Sequence, residues 1–190
     1  MFKRSILFVL LVVVAAMSLI GCKKQMASDN AMMSEHEPSQ VYYTQFSLFQ
    51  EKNTFRTTNY RKGILIPINT AVTLQAMNSK EAQLKLVDGG QSLTIVNMPK
   101  HTGEDMQTAF NKVVAPTQVN LQRFSAKERD AIMVGRAVKG MSRDAVIAAI
   151  GYPPQTQTPT LSVNDWTYWN NRFDRFIVHF KNDKVENIVE

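Results

Sequence analysis

The sequence predicts an α+β protein in which a small β-barrel-like module precedes a module of two helices and a three-stranded antiparallel sheet. Short β-branched and aromatic runs separated by turn residues fill residues 41–115. Helix-capping patterns followed by three strand-like runs fill residues 116–190. The chain of 190 residues is long enough for one medium domain or two small ones.

The N-terminal segment, residues 1–21, has the features of a secretory signal peptide. Two basic residues precede an unbroken apolar run over residues 6–17, which is shorter than the ~20 residues that a membrane-spanning helix needs. Residues 19–22, Leu-Ile-Gly-Cys, then resemble the bacterial lipobox. This resemblance implies cleavage before Cys22 and attachment of diacylglycerol to its sulfur. The alternative is a free buried cysteine, but Cys22 borders a polar tract that offers no core.

The lipid anchor at Cys22 implies where in the cell the protein is located. One acyl chain holds a protein only reversibly, whereas the three chains of a mature lipoprotein prevent desorption. Lys23 follows the cysteine, and inner-membrane retention in enteric-type bacteria resembles Cys-Asp instead. The resemblance therefore implies a lipid-anchored protein of the outer membrane that faces the periplasm.

Residues 22–40 are polar, lack sustained periodicity and are predicted to be a flexible tether. Within the tether, His36 stands between two glutamates, but adjacent residues do not fix a coordination geometry, so no metal site is predicted.

The formal charge of +6 falls to 6 − 2 = +4 once Lys3 and Arg4 are removed with the signal peptide. A surplus of this size does not indicate a nucleic-acid partner.

The first module, residues 41–115, contains four clear strand candidates. These cover residues 54–60, 71–77, 83–87 and 92–96, and the last two flank an Asp-Gly-Gly hairpin turn. Close spacing of short strands is typical of a small closed barrel, and the pattern looks like a bacterial Src-homology-3-type barrel.

A helix is predicted to close this module. Thr102 is placed as its N-cap, with Asp105 three residues later as in a capping box. The apolar stripe that follows is expected to face the core and consists of Met106, Ala109, Phe110 and Val113.

The second module, residues 116–190, begins with two capped helices. Ser125 and Glu128 form a capping box, Ser142 caps the next helix, and Gly151 is expected to end it in a left-handed conformation before two prolines. Three strands are then predicted over residues 165–169, 173–181 and 185–189, with a hairpin turn at Asn182-Asp183.

The second module resembles a known family. Gly140-Met141-Ser142, Val146, Gly151, Pro153, Trp166-x-Tyr168, Phe180 and Lys184-Val185 occur in the order found in the SmpA/OmlA domain of the BamE type. The resemblance covers about residues 121–190. Members are small outer-membrane lipoproteins, and the best known is an accessory subunit of the machine that inserts β-barrel proteins. The resemblance implies a similar fold and location, but this chain adds the first module and an extended loop after Pro154.

No set of residues indicates catalysis, and no cofactor is predicted. Ser125 and Ser142 are explained as helix caps, neither lies in a G-x-S-x-G motif, and a lipidated Cys22 has no thiolate.

The basic run over residues 56–62 has two interpretations. It could bind phosphate or glycan, or it could form a solvated strand face with extended arginines.

The three-stranded sheet leaves one face that its two helices cannot cover. Side-chain alternation places Trp166, Tyr168, Phe176, Val178 and Phe180 toward the helices and leaves Trp169, Ile177 and His179 on the other side. These three residues either pack beneath the first module or the tether, or bind a partner with Trp169 as the anchor.

The function expected from the sequence is a non-catalytic scaffold or accessory factor of the outer membrane, bound to a membrane-protein complex. Assembly of outer-membrane proteins and maintenance of the envelope are the roles that fit this expectation. The alternative is an envelope module that binds peptidoglycan, and the third hypothesis is an enzyme of unknown type.

Overall fold

The computed structural model describes residues 40–190, and the first strand begins at Val41, directly after the predicted tether. The predicted signal peptide, Cys22 and the tether up to residue 39 lie outside the described residues. The N-terminal half, residues 41–115, has eight strands and two helices: β1 (Val41–Thr44), β2 (Leu48–Gln50), β3 (Thr54–Arg56), β4 (Ile64–Ile66), β5 (Ala71–Met77), β6 (Glu81–Leu86), β7 (Ser92–Val96), α1 (Pro99–Thr102), α2 (Met106–Val113) and β8 (Val114–Ala115). The C-terminal half has a short 3-10 turn (Leu121–Arg123), two helices and three strands: α3 (Ala126–Met133), α4 (Arg143–Ile150), β9 (Asp165–Asn171), β10 (Asp174–Lys181) and β11 (Lys184–Val189).

The N-terminal half is built on a curled sheet of six strands in the order β3-β7-β6-β5-β1-β8. All neighbours pair antiparallel except β3 and β7, which are parallel. Strands β2 and β4 pair with each other in a separate sheet. The fold is therefore α+β and the N-terminal half is half a barrel. The expected closure does not occur, because the end strands β3 and β8 have only three and two residues and do not pair with each other.

Two local expectations in this half are corrected. The strand predicted over residues 54–60 ends at Arg56, since Asn59 has a positive φ of 57° that turns the chain out of the extended conformation. The helix predicted to start at Thr102 starts at Met106, and Asp105 is its cap, accepting a hydrogen bond from the Thr108 amide at 2.7 Å. The predicted apolar stripe of that helix is buried as expected.

The C-terminal half has the predicted order of two helices and an antiparallel three-stranded meander. Ser125 forms the predicted capping box and Ser142 is the predicted N-cap. Asn182 and Asp183 have φ values of 50° and 58°, as the two-residue hairpin turn requires. The predicted helix-facing side of the sheet is confirmed by its burial: Trp166, Tyr168, Phe176, Val178 and Phe180.

Each half has its own apolar core. The N-terminal core lies between the curled sheet and α2, and its largest fully buried side chains include Phe55, Leu84 and Leu93. The C-terminal core lies between the helices and the three-stranded sheet around Trp166 and Tyr168. The two cores lie within one compact unit, and they interlock: Ile68 of the N-terminal half belongs to the C-terminal core, and Tyr152 packs against the N-terminal core.

One carboxylate ties the N-terminal ends of α3 and α4 together. Glu128 accepts hydrogen bonds from the backbone amide and hydroxyl of Ser125, at 3.0 and 2.8 Å, and from the same two groups of Ser142, at 2.8 and 2.9 Å. Burial opposes its ionisation, but the hydrogen bonds from Ser142 and Ser125 prevail and lower the pKa of Glu128 to about 2. The helices therefore run side by side in the same direction, with one negative charge at the positive ends of both dipoles.

Donors from the N-terminal half form hydrogen bonds with carbonyls at the C-terminal ends of the same helices. The Ser47 amide donates to the Ala148 carbonyl at 3.1 Å, and its hydroxyl donates to the Ile132 carbonyl at 2.7 Å. The Asn59 side-chain amide donates to the carbonyls of Ile150 and Tyr152 at 2.6 and 3.0 Å. These bonds satisfy carbonyls in the last turns of the two helices or just beyond them, and the Ile132 carbonyl accepts the Gly135 amide at 3.0 Å as well.

Arg61 adds a positive charge at the same place. Its guanidinium donates to the Gly135 carbonyl, just beyond α3, and to the Ile150 carbonyl at 3.4 Å, and it lies 4.5 Å from the centre of the Phe49 ring. Burial lowers the pKa of Arg61 to about 10, so the side chain remains a cation at neutral pH. A cation at the negative ends of two helix dipoles mirrors Glu128 at the positive ends.

Gly151 ends α4 with a positive φ, as predicted, but not in the left-handed helical conformation. Its φ of 72° and ψ of −165° fall in a region that is essentially restricted to glycine. A Cβ at this position would lie 2.6 Å from the Phe46 ring and 2.9 Å from Nδ2 of Asn59. Glycine is therefore required both by the backbone and by the close approach of the N-terminal half.

We expect Gly151→Val to destabilise the protein more than the same change at Gly89. Both glycines have a positive φ, but a Cβ at Gly89 would meet no atom within 4 Å. Gly89→Val should cost about 1–2 kcal/mol through backbone strain alone, and Gly151→Val should cost roughly 1–3 kcal/mol more through overpacking. Chemical denaturation of both variants measures the difference, and equal losses would show that the Phe46 contact does not constrain this position.

We expect the stability of the protein to fall with acidification in a manner that depends on Glu128. Its pKa is lower in the folded protein, at about 2, than the ordinary value of 4.5, so the stabilisation is complete above about pH 4.5 and is lost as the pH falls toward 2. Glu128→Gln should cost about 2 kcal/mol at pH 7 and flatten the dependence on pH in this window.

The matched control is Asp144→Asn, since Asp144 lies in the first turn of α4 but its side chain is 73% exposed. This variant should lose little stability, because exposed ion pairs contribute little. Urea unfolding at a series of pH values compares the two variants, and an unchanged slope in Glu128→Gln contradicts the assignment.

Candidate functional site

The side of the three-stranded sheet that faces away from α3 and α4 is called the far face here. Strand register brings Thr167 of β9, Ile177 of β10 and Val189 of β11 into one row across it. Asp165, His179 and Asn187 form the next row, and Trp169 pairs with Arg175 at the other end. The structure thus places all three predicted residues, Trp169, Ile177 and His179, on this face.

Trp169 is covered by the N-terminal half of the chain. Tyr60 stacks on its indole with ring centres 5.9 Å apart and planes 26° apart, and His101 meets it edge-on, also at 5.9 Å. The Arg175 guanidinium lies 5.8 Å from the centre of the indole ring. Of the two expectations for the far face, packing under the first module therefore describes the surroundings of Trp169.

Ile177 and His179 lie in a different environment, farther from the N-terminal half. Both are partly exposed, and Val189 beside Ile177 is 46% exposed. Nδ1 of His179 lies 2.6 Å from a carboxylate oxygen of Asp165, whose side chain is 64% exposed. This end of the far face presents a row of β-branched residues, two of them apolar, beside a polar row. Its role in binding a partner stays a prediction.

The two edges of the three-stranded sheet differ. Along β9, the Arg61 amide donates to the Trp169 carbonyl at 3.1 Å and the Thr167 amide donates to the Thr158 hydroxyl at 3.0 Å. The strand β11 forms the other edge of the sheet, and there the Gly140 amide donates to the Val185 carbonyl and the Val185 amide donates to the Met141 carbonyl, both at 2.8 Å. A protein that extended the sheet would therefore meet the later part of β11, next to Ile177 and Val189.

We expect Trp169→Ala to destabilise the protein and Ile177→Thr to leave its stability nearly unchanged. Loss of the indole from its contacts with Tyr60 and His101 should cost about 2–3 kcal/mol, which corresponds to a fall in Tm of about 5–10 °C. Ile177→Thr keeps a β-branched residue at a partly exposed position and should cost about 1 kcal/mol or less. Thermal denaturation followed by circular dichroism measures both, and an unchanged Tm in Trp169→Ala would mean that the indole is not part of the folded interior.

A cleft of about 180 Å³ opens between α2 and the loop after α4. Its apolar lining includes Phe46, Phe55 and Tyr152. The Lys112 ammonium pairs with Glu104 at its rim and lies 5.0 Å from the centre of the Tyr152 ring. No pattern in the sequence indicates this cleft, because its lining comes from distant segments that the fold brings together.

A second cleft, of about 390 Å³, lies in the N-terminal half beside β2 and β3. It is lined by Phe49, Glu51, Lys52, Thr54, Arg56, Tyr60 and Lys62. Arg56, Tyr60 and Lys62 belong to the basic run for which two interpretations were open. The run is not a single solvated strand face, because the Arg61 side chain points into the protein while Tyr60 and Lys62 line the cleft.

The candidate nucleophiles and carboxylates in the described residues have structural partners. Ser125 and Ser142 cap their helices and donate to Glu128. Within residues 40–190, no group of three or more His, Cys, Asp or Glu side chains is placed to hold a metal ion.

Comparisons with models of protein families, with curated proteins and with solved structures found no match for this chain. Among residues 40–190, no helix has both the length and the apolar character needed to cross a membrane.

Proposed function

We propose that the protein is a lipoprotein of the bacterial outer membrane, anchored through Cys22 and facing the periplasm, where it acts as a non-catalytic scaffold for a membrane-protein complex. The observation that carries the proposal is the sequence Leu-Ile-Gly-Cys directly after a signal-peptide-like apolar run. A polar tether up to residue 40 then connects the anchor to the folded protein.

The fold of the C-terminal half supports the resemblance to the SmpA/OmlA domain. Two helices, α3 and α4, capped by Ser125 and Ser142, precede an antiparallel meander, which is the order of elements that the resemblance implies. The family includes an accessory subunit of the machine that inserts β-barrel proteins, so assembly of outer-membrane proteins is the role that we propose first.

The partner-binding surface in this proposal is the uncovered end of the far face. Ile177 and Val189 present apolar groups there, and β11 offers a strand edge beside them. Trp169 supports this surface from within, because its indole is held by Tyr60 and His101. We therefore assign contact with the partner to Ile177 and His179, and we assign a supporting role to Trp169.

Crosslinking in intact cells, with mass spectrometry of the captured proteins, tests the proposal. The unaltered protein should appear in the outer-membrane fraction and crosslink to outer-membrane proteins. Cys22→Ala should remain unprocessed or leave this fraction, because it lacks the atom that would carry the lipid. Normal processing and membrane yield of Cys22→Ala would reject the anchor.

The same experiment separates the partner surface from the anchor. Ile177→Thr should keep its membrane yield and lose the crosslinks, whereas Lys139→Gln, an exposed change in the loop between α3 and α4, should keep both. Crosslinks that survive in Ile177→Thr would reject the far face as the docking surface. Retention on purified sacculi, without capture from solubilised outer membrane, would favour the alternative of a peptidoglycan-binding module.

A further inference from the structure

The cleft beside β2 and β3 collects positive charge that the surrounding residues do not neutralise. Three cationic side chains, Lys52, Arg56 and Lys62, line it together with one carboxylate, Glu51. Glu51 lies 3.1 Å from the Lys62 ammonium. Within residues 40–190, no carboxylate lies within 4 Å of the charged groups of Lys52 and Arg56. Two cations in a concave site without a counter-charge attract an anion strongly.

The backbone that carries Lys52 is fixed. Glu51 and Thr54 exchange two hydrogen bonds of 3.0 Å around a tight turn, and Lys52 and Asn53 occupy its centre with φ values of 51° and 59°. The Asn53 carbonyl accepts a hydrogen bond of 2.7 Å from the Thr94 amide, which fastens the turn to the curled sheet. Lys52 therefore projects from a fixed turn and not from a loose loop.

The opposite wall of the cleft belongs to the segment that forms hydrogen bonds with the C-terminal end of α4. Asn59 and Arg61 point into the protein and bind the carbonyl of Ile150, so that Tyr60 and Lys62 line the cleft. A Cβ at Gly63 would lie 2.2 Å from the Gln50 carbonyl oxygen, so the chain passes β2 at a distance that only glycine permits. The walls are thus preorganised, which reduces the entropic cost of binding.

Two aromatic rings complete the lining. Tyr60 is supported from behind by the stacked indole of Trp169, and Phe49 by the Arg61 guanidinium at 4.5 Å. Rigid aromatic rings offer apolar surfaces on which the C–H faces of a sugar pack. The Glu51 carboxylate adds an acceptor for sugar hydroxyl groups, and the Thr54 hydroxyl, which donates to the Lys52 carbonyl at 3.4 Å, adds a second acceptor.

We propose that this cleft binds a phosphorylated saccharide, with the phosphate held by Lys52 and Arg56 and the sugar ring packed against Tyr60. The cleft volume of about 390 Å³ falls within the range of about 300–1,000 Å³ for small-molecule sites. A concave site of this kind encloses a sugar phosphate, whereas a flat membrane surface requires a protruding patch. The proposal goes beyond the scaffold function and does not depend on lipid attachment at Cys22.

Isothermal titration calorimetry with the full chain in a neutral detergent tests the site. The probes are glucose 6-phosphate, glucose, inorganic phosphate and adenosine monophosphate. We expect glucose 6-phosphate to bind more tightly than the other three, and its affinity to fall as salt is added because exposed charges are screened. Equal affinity for inorganic phosphate would reduce the cleft to an anion site and overturn the saccharide assignment. Tighter binding of adenosine monophosphate would also overturn it.

The double variant Lys52→Gln/Arg56→Gln tests the residues. It should weaken binding of glucose 6-phosphate roughly tenfold or more, because it removes both charge-assisted contacts with the phosphate. The control, Lys139→Gln/Lys181→Gln, removes the same charge from exposed positions in the C-terminal half and should change the affinity less than twofold. Equal losses in the two double variants would show a general charge effect and reject the site.

Two further measurements keep the result interpretable. Circular dichroism should show unchanged Tm values in both double variants, because Lys52 and Arg56 are exposed. Glycerophosphoglycerol, the soluble deacylated headgroup of phosphatidylglycerol, provides the competing ligand, because it cannot bind through the lipid anchor. If it binds the unaltered protein but glucose 6-phosphate does not, the cleft recognises a lipid headgroup and the proposal is wrong. Crosslinking to a membrane complex can succeed or fail independently of all these outcomes.

Discussion

The pairing of helix-end carbonyls with donors from the N-terminal half is the interaction on which the rest of the structure depends. Ser47, Asn59 and Arg61 supply these donors to α3, α4 and the residues that follow them. A buried carbonyl without a partner costs about 1–3 kcal/mol, so the C-terminal ends of both helices require this segment. The same segment turns Tyr60 outward, where it both covers Trp169 and lines the basic cleft.

Opposite charges at the two ends give the helix pair a defined polarity. Glu128 lies at the N-terminal ends and Arg61 at the C-terminal ends, and each contacts both helices or the residues just beyond them. Neither charge pairs with the other, because they stand at opposite ends of the helices. Glu128 also lies 3.7 Å from the Lys184 ammonium. The stabilisation therefore comes from hydrogen bonds to the backbone and to serine hydroxyls, from this ion pair and from the helix dipoles. It fixes two short helices of eight residues each that would be marginal alone.

Features that depend on neighbours in sequence were predictable. The caps at Ser125 and Ser142, the turn at Asn182-Asp183 and the alternation in β9 and β10 involve residues a few positions apart, so their patterns are visible in the chain. Features that depend on distant partners were not. Arg61 looks like any basic residue of a solvated run, and its burial follows from carbonyls 74 and 89 residues away. The spacing of Thr102 and Asp105 fits a capping box, but Asp105 is itself the cap of α2.

The distance between partners also has a consequence for the order of folding. The donors at Ser47 and Asn59 precede the carbonyls of Ile132 and Ile150 by 85 and 91 residues. Contacts at such separations form late, because the chain between them must be ordered first. A defect in residues 46–61 is therefore felt in helices that begin more than sixty residues downstream.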